Sequence, residues 1–301
     1  MTTSGFGKIV TPGIIAAKRV IGRRSFDFSR QVAIIANIDS APDGIGNQGT
    51  SFNPAKALEA CESAVRAGAD WIEIRGVAPG PGLEVPEDEE LRRLLSVLRA
   101  CRQRTDAVIS VETSRGDVAR HALLAGADVI NDATGLRDQD LARVVAEAGA
   151  GLIITPGLAE PPAPVPRSGN ADAPGDVATF LREAAELAVT LGVRQDQIFV
   201  DPGQDLQKNN YQSPQSAVLL GKITSIGYPL LVPAPGPFIS EAPGQPREDS
   251  MAGAIATMVV CILLGARLIR VHDAAPAIAA VRTTEAVLGW RQPLAPRHNL
   301  V

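Results

Sequence analysis

From Val32 onward, short and almost wholly apolar runs alternate with segments whose apolar residues recur every three and four positions. The runs are Val32–Ile38, Trp71–Ile74, Ala107–Glu112, Asp128–Asp132, Gly151–Pro156, Ile198–Gly203, Pro229–Ala234 and Leu268–Asp273. They read as strands of a parallel sheet, because strands buried on both faces lose the usual apolar–polar alternation. Between them, spacings such as Ala57, Leu58, Cys61, Val65 and Leu91, Leu94, Leu95, Leu98 predict amphipathic helices. A nearly repeated joint precedes four strands: Ala67-Gly68-Ala69-Asp70, Ala125-Gly126-Ala127-Asp128, Ala148-Gly149-Ala150-Gly151 and Leu264-Gly265-Ala266-Arg267. Its glycine suits the left-handed residue that closes a helix. Helix caps are predicted at Asn53-Pro54, Ser114, Asp138, Asp176 and Ser213-Pro214. Eight strand–helix units in succession predict an α/β fold, the (β/α)8 TIM barrel, with a doubly wound open sheet as the competing arrangement. The expected organisation is a short strand-rich extension over 1–25, a single barrel domain over 26–292 and a tail over 293–301. The proline-rich stretch Leu158–Pro174 is expected to be a surface loop on the C-terminal rim.

Composition narrows the function classes. In 301 residues, 45% are hydrophobic and 21% charged, which excludes disorder over most of the length. A net charge of −4 argues against nucleic acid as the main partner, since phosphate binding requires a basic surface. Cys61, Cys101 and Cys261 are far apart and lack metal-ligand spacing, so they read as reduced thiols of a cytoplasmic protein. No apolar stretch reaches membrane-spanning length, and Met251–Leu264 is about one buried helix long. The first thirty residues carry six basic residues and one acid, Asp27, without a continuous apolar core. A strand-rich entry segment is the reading taken, with a transit peptide as the alternative.

Polar groups sit where the apolar runs end: Asn37, Glu73, Glu112, Asn131 with Asp132, Asp201, and Arg270 with His272 and Asp273. In a barrel, those ends converge on one mouth. Some of these residues would cap helices or tie loops together, but polar groups arriving from six strands are expected to form a binding site. Asp201, Glu112 and Asn131 offer acceptors for amino and amide N–H groups, and Arg270 and His272 offer donors to an anion. A heterocycle with a guanidine-like edge and a phosphate or carboxylate tail would satisfy both halves. The sequence shows no Cys/His metal cluster, Walker-type loop or Ser-His-Asp pattern, and Gly80-Pro81-Gly82 is no dinucleotide fingerprint. His121 reads as a surface or packing residue of a helix. The acidic run Glu87–Glu90 complements a helix N-terminus, and Trp71 and Trp290 are expected to pack at the barrel base.

The ordered set Asn37, Ile109–Thr113, Val129–Asp132, Val200–Gly203 and Arg270–Asp273 resembles the dihydropteroate synthase family. These pterin-binding barrels join a dihydropterin diphosphate to p-aminobenzoate with release of diphosphate. The likeness runs from about Phe26 to Trp290 and includes Phe26–Arg30 and Ser250–His272. The resemblance implies that Asp201 grips the amino-pyrimidine edge of the pterin, with Asn131 beside it and Glu112 in the place of a second pterin-binding carboxylate. It implies that Asn37, Arg270 and His272 hold the diphosphate and are the catalytic groups, with Asn37 next to Mg2+. It also implies a homodimer formed through the late helices. Stabilisation of the leaving diphosphate would then be the main catalytic lever.

Four departures from the family pattern change the expected function. The first loop reads Asn37-Ile38-Asp39-Ser40-Ala41-Pro42-Asp43-Gly44, without the family's Thr and Phe. The second reads Glu73-Ile74-Arg75-Gly76-Val77-Ala78-Pro79-Gly80-Pro81-Gly82, with its Thr and Arg positions lost and Arg75 about five residues too early to replace the arginine. Glu112 stands for the usual Asp, and a displacement of roughly 1 Å can cost about a hundredfold in rate. After strand seven, Ala234-Pro235-Gly236 stands where the family has Ser-Arg-Lys. The expectation is a dihydropteroate-synthase-like protein that keeps the pterin half of the site and is weak or inactive in the transfer. An active synthase with atypical loops, a non-catalytic binding or scaffold barrel, and a methyl-transferring relative that needs a corrinoid partner are the alternatives.

Overall fold

The computed structural model describes residues 13–39, 53–77, 85–157, 174–203, 214–234 and 250–292. An antiparallel hairpin, β1 (Lys18–Ile21) and β2 (Arg24–Asp27), precedes eight parallel strands. These are β3 (Ala33–Asp39), β4 (Trp71–Arg75), β5 (Val108–Glu112), β6 (Val129–Asp132), β7 (Gly151–Ile154), β8 (Ile198–Val200), β9 (Leu230–Pro233) and β10 (Ala266–Val271). They close into a barrel in chain order, with β10 beside β3, so the barrel expectation holds and the open sheet is excluded. A helix follows each strand: α1 (Pro54–Ala67), α2 (Glu87–Arg102), α3 (Gly116–Leu124), α4 (Gln139–Ala148), α5 (Pro174–Thr190), α6 (Pro214–Thr224), α7 (Ser250–Leu263) and α8 (Ala274–Val287). No helix among the described residues is long and apolar enough to cross a membrane.

The boundaries follow local chemistry. Asn53 caps α1 through the N–H groups of Ala55 and Lys56, and Asp138 caps α4 through that of Asp140. Gly68 closes α1 at φ 101°, and Gly265 turns into β10 at φ 110°, a conformation that side chains resist. That turn starts β10 at Ala266, two residues before the apolar run suggested, and Asp273 ends it by capping α8. Two expected caps are corrected. The residue before α3 is Arg115, not Ser114, and its side chain reaches Glu90 instead of capping. Asp176 lies within α5, which begins at Pro174. Ser213 lies outside the described residues, as does 158–173 of the expected rim loop.

Side-chain parity divides the barrel wall. Successive strand residues point to opposite faces. Ile34, Ala36, Ile38, Ile72, Ile74, Ile109, Val111 and Ile130 therefore pack outward against the helices in one buried cluster. Ala33, Ile35, Trp71, Val108, Val129, Ile153, Phe199, Leu231 and Leu268 point inward, where Ile21, Phe26 and Phe28 join them. The Trp71 ring meets Phe199 edge-on at 5.2 Å and Phe26 at 6.0 Å, sealing the barrel floor. Arg19 is buried beside this floor, donating to the carbonyls of Ile15, Ala16 and Ile198, with its guanidinium 5.2 Å from the Phe199 ring centre. At the same end Trp290 receives the Arg267 guanidinium at 4.7 Å. Both tryptophans occupy the base, as expected.

Candidate functional site at the barrel mouth

Two residues further along seven of the eight strands, β9 with Pro233 being the exception, the inward parity passes from apolar to polar. Asn37, Glu73, Ser110 and Arg270, with Arg75, Glu112, Asn131, Thr155 and Asp201 around them, form a layer above the sealed floor. Register aligns Asn37 with Glu73 and Ser110, and Asp39 with Arg75, Glu112 and Asn131. A closed barrel brings its two ends together, so β10 delivers Arg270 beside β4 and β8.

Glu73, fully buried, is the hub. Its Oε1 accepts from Arg270 Nη1 at 3.1 Å, and its Oε2 from Asn131 Nδ2 at 3.0 Å and Ser110 Oγ at 3.4 Å. Arg270 reaches Asp201 on its other side, Nη2 to Oδ2 at 3.1 Å. That contact is an ion pair without hydrogen-bond alignment, so Asp201 Oδ2 has no hydrogen-bond partner among the described residues. Its Oδ1 accepts from the Gly203 N–H at 2.7 Å, which fixes the carboxylate plane. Asn131 Oδ1 accepts from Thr155 Oγ1 at 3.3 Å, so both ends of its amide are engaged. Asn37 Oδ1 is buried and likewise lacks a hydrogen-bond partner among the described residues.

Glu112 stands apart from the hub. Its Oε2 accepts from Arg75 Nη2 at 2.9 Å, with the two side chains 14% and 8% exposed. His272 lies exposed at the rim, two positions beyond Arg270 on the same parity. Asp132 and Asp273, also at strand ends, have local duties. Asp132 Oδ1 accepts from the N–H and hydroxyl of Thr134, its Oδ2 accepts from the Leu136 N–H, and Asp273 caps α8.

Three carboxyl groups and two guanidiniums share this layer. Burial raises the carboxyl pKa of Asp201, opposed by Arg270 and the Gly203 N–H. Burial likewise raises that of Glu112, opposed by Arg75. Burial alone would lower the pKa of Arg270, but Glu73, Asp201 and Glu112 outweigh it and hold the guanidinium firmly protonated. The arrangement is a rigid charged floor with two buried acceptors that lack an aligned hydrogen bond among the described residues, Asp201 Oδ2, ion-paired to Arg270, and Asn37 Oδ1, which favours a ligand rich in N–H donors.

The structure brings Asp201, Asn131 and Arg270 into one network and places Asn37 beside them through the β3–β4 register. Sequence reasoning placed Glu73 at a strand end without a role, and judged Arg75 only against the wrong loop position. The signal for both was parity: 73 and 75 fall on the inward face that Trp71 begins. The first-loop departures from Ser40 to Gly44, the second-loop positions 78–82, and Pro235-Gly236 lie outside the described residues.

Comparison with known proteins agrees with this geometry. The family described as pterin binding enzyme matches residues 35–272. A protein of Mycobacterium leprae named inactive dihydropteroate synthase 2 is 33% identical over 267 residues, covering 86% of this chain and 92% of its own. A dihydropteroate synthase of Synechocystis is 30% identical over 275 residues, covering 90% and 94%. Among solved structures, the dihydropteroate synthase of Xanthomonas albilineans in complex with 7,8-dihydropteroate superposes with a TM-score of 0.74 at 27% identity, over 90% of this chain and 98% of that one. With a family match that begins on β3 and ends on His272, spanning every strand of the barrel, the chain belongs to the pterin binding enzyme family as a divergent, dihydropteroate-synthase-like member.

Proposed function

We propose that this protein binds a dihydropterin diphosphate at the barrel mouth and is weak or inactive in condensing it with p-aminobenzoate. The observation that carries the reading is the pair of buried acceptors without hydrogen-bond partners among the described residues, Asp201 Oδ2 and Asn37 Oδ1, in a layer otherwise held rigid by Glu73. An amino-pyrimidine edge would place its N–H donors on Asp201, where a carboxylate accepts a charge-assisted pair. Asn131, oriented by Glu73 and Thr155, would flank the ring. Arg270 bridges the heterocycle end and the anionic tail, and His272 at the rim would meet the diphosphate. The altered loop positions and the Mycobacterium leprae relative named inactive support impaired transfer.

Mg2+ fits the residues in one respect. Asn37 Oδ1 is a hard oxygen ligand without a hydrogen-bond partner among the described residues, whereas no group of three His, Cys, Asp or Glu among them could hold a metal alone. Asn37 would then share the ion with the ligand's phosphate oxygens. Bound there, Mg2+ would supply charge neutralisation of the diphosphate. We further propose a cytoplasmic location, a unit running from about residue 26 to 292 behind an N-terminal extension, and a homodimer. The dimer reading is supported by exposed apolar side chains on the late helices, Met251, Val260 and Leu263 on α7 and Val287 on α8.

Titration calorimetry with a dihydropterin diphosphate, with and without Mg2+, followed by p-aminobenzoate in the same cell, tests the reading. Micromolar, Mg2+-dependent binding without turnover is expected. Turnover on the order of 1 s⁻¹ would make the chain a working synthase, and silence in both steps would leave a scaffold barrel.

A further inference from the structure

Asn131 and Asp201 reach the mouth from β6 and β8, and the strand between them leads into Thr155. Ladder bonds fix its place. The Thr155 N–H donates to the Asp132 carbonyl at 2.9 Å, and the Asp201 N–H donates to the Ile154 carbonyl at 3.0 Å. Thr155 is buried and lies two positions beyond Ile153 of the apolar floor, on the same inward parity. Valine has the same branched shape and would fill this place without a hydroxyl to satisfy. Packing therefore gives no reason for the oxygen, but its contact does: Thr155 Oγ1 donates to Asn131 Oδ1 at 3.3 Å.

That contact holds an end of Asn131 that nothing else fixes. Asn131 Nδ2 donates to Glu73 Oε2 at 3.0 Å. The terminal torsion of an asparagine is broad, so one bond leaves the amide plane free to swing about it. A second bond at the opposite end sets the plane. The same threonine also meets the other neighbour. A Cβ at Gly203 would lie 3.0 Å from Thr155 Cγ2, so the methyl group and the turn are in close contact. Gly203 holds φ 65° and gives its N–H to Asp201 Oδ1 at 2.7 Å. Because hydroxyl and methyl share one stiff χ1, the rotamer that aims the oxygen at Asn131 also sets the methyl against Gly203.

Resting on the pterin reading of the mouth, we infer that Thr155 is a positioning residue common to Asn131 and Asp201. Its hydroxyl sets the plane of the Asn131 amide, and its methyl backs the turn that holds the Asp201 carboxylate. The two ring-facing groups are thereby tied to one side chain, and affinity depends on both of its branches.

The test separates those branches. Thr155→Val keeps the methyl and removes the hydroxyl, whereas Thr155→Ser keeps the hydroxyl and removes the methyl. Affinity for 6-hydroxymethylpterin is measured by titration calorimetry, and the urea unfolding midpoint is measured on the same proteins. Thr155→Val should weaken binding about tenfold, the scale of one hydrogen bond, and Thr155→Ser about threefold. Both should keep the midpoint within about 0.5 M of wild type. With Asn131→Ala already in place, adding Thr155→Val should change affinity less than about twofold, because the amide it orients is gone. A merely structural brace would cost about tenfold in either background. The side-chain NH2 signals of Asn131 in 15N–1H spectra give a second readout without ligand. They should stay sharp in Thr155→Ser and shift or broaden in Thr155→Val, and they decide the matter if Asn131→Ala binds too weakly to titrate. Binding by Thr155→Val within twofold of wild type, additive losses, or unmoved Asn131 signals overturn the inference while the pterin reading stands. A wild-type protein that does not bind the pterin overturns both.

Discussion

Glu73 shows how much of the site depends on one carboxylate. It holds Arg270, Asn131 and Ser110 from three other strands, and it is wholly buried. Removing one partner of a buried pair leaves the other charge uncompensated, which costs about 3–5 kcal/mol. Glu73→Ala should therefore lower unfolding stability by roughly 3 kcal/mol in urea titration and abolish pterin binding. Glu73→Gln keeps an acceptor for Arg270, so its stability loss should be less than half as large. Equal effects of the two variants would refute the hub. The raised carboxyl pKa values of Asp201 and Glu112 make a separate prediction. The folded protein keeps protons on these groups after an unfolded chain, near pH 4, has lost them. Their contribution to stability is thus complete below that pH and declines as pH climbs through the raised values. A ligand donating N–H groups to Asp201 needs the ionised carboxylate. Affinity should rise as pH climbs through that same window, with proton release on binding, seen as buffer-dependent heats in calorimetry. Asp201→Asn should remove both the binding and its slope; an affinity that does not change as pH is raised from the ordinary carboxylate range would contradict the assignment.

At the scale of elements, Asp138 joins two helices through one side chain. One oxygen caps α4 at the Asp140 N–H, and the other accepts from the Gly116 N–H at 2.8 Å, at the start of α3. Losing a cap costs about 1 kcal/mol, and the second bond adds a similar amount. Asp138→Ala should accordingly cost about 1.5–2 kcal/mol in urea unfolding, whereas a loss under about 0.5 kcal/mol would show the bridge to be idle. The sequence exposed this element well, because an aspartate before an apolar-periodic run is a local signal. The eight strands were legible for a similar reason: short, nearly unbroken apolar runs between helical patterns suit strands covered on both faces. Ends were less legible. Gly203 and Pro156 follow strands whose pairing stops at Val200 and Ile154, since register with neighbours, not apolar character, ends a ladder. The Glu73 hub and the Arg75–Glu112 pair were not legible at all as contacts. They join residues 37 to 197 positions apart, which only barrel closure brings together.

Across the whole molecule, the barrel separates what holds it together from what it binds. The base is a plug, with β1 and β2 folded under the strands, Phe26, Phe28, Trp71 and Phe199 in aromatic contact, and Arg19 bound to three backbone carbonyls. The mouth is a charged layer whose bonds run strand to strand. Between them lies an apolar floor with no polar link from Arg19 to Glu73 among the described residues. Effects at sites that share no partners add independently, whereas a shared network would couple them. Arg19→Ala leaves the carbonyls of Ile15, Ala16 and Ile198 without their donor, and Phe26→Ala opens a cavity against Trp71. Each should cost about 2–4 kcal/mol of unfolding free energy. Neither should change the pterin dissociation constant by more than about twofold under conditions where the variant remains folded. Glu73→Gln should behave in the opposite way, with a modest stability loss and a large loss of affinity. Measuring unfolding midpoint and affinity on the same three proteins decides whether the floor insulates the two ends. A tenfold loss of affinity in Arg19→Ala would mean that the plug sets the strand positions on which Asp201 and Arg270 depend. The N-terminal hairpin would then belong to the binding site as much as to the fold.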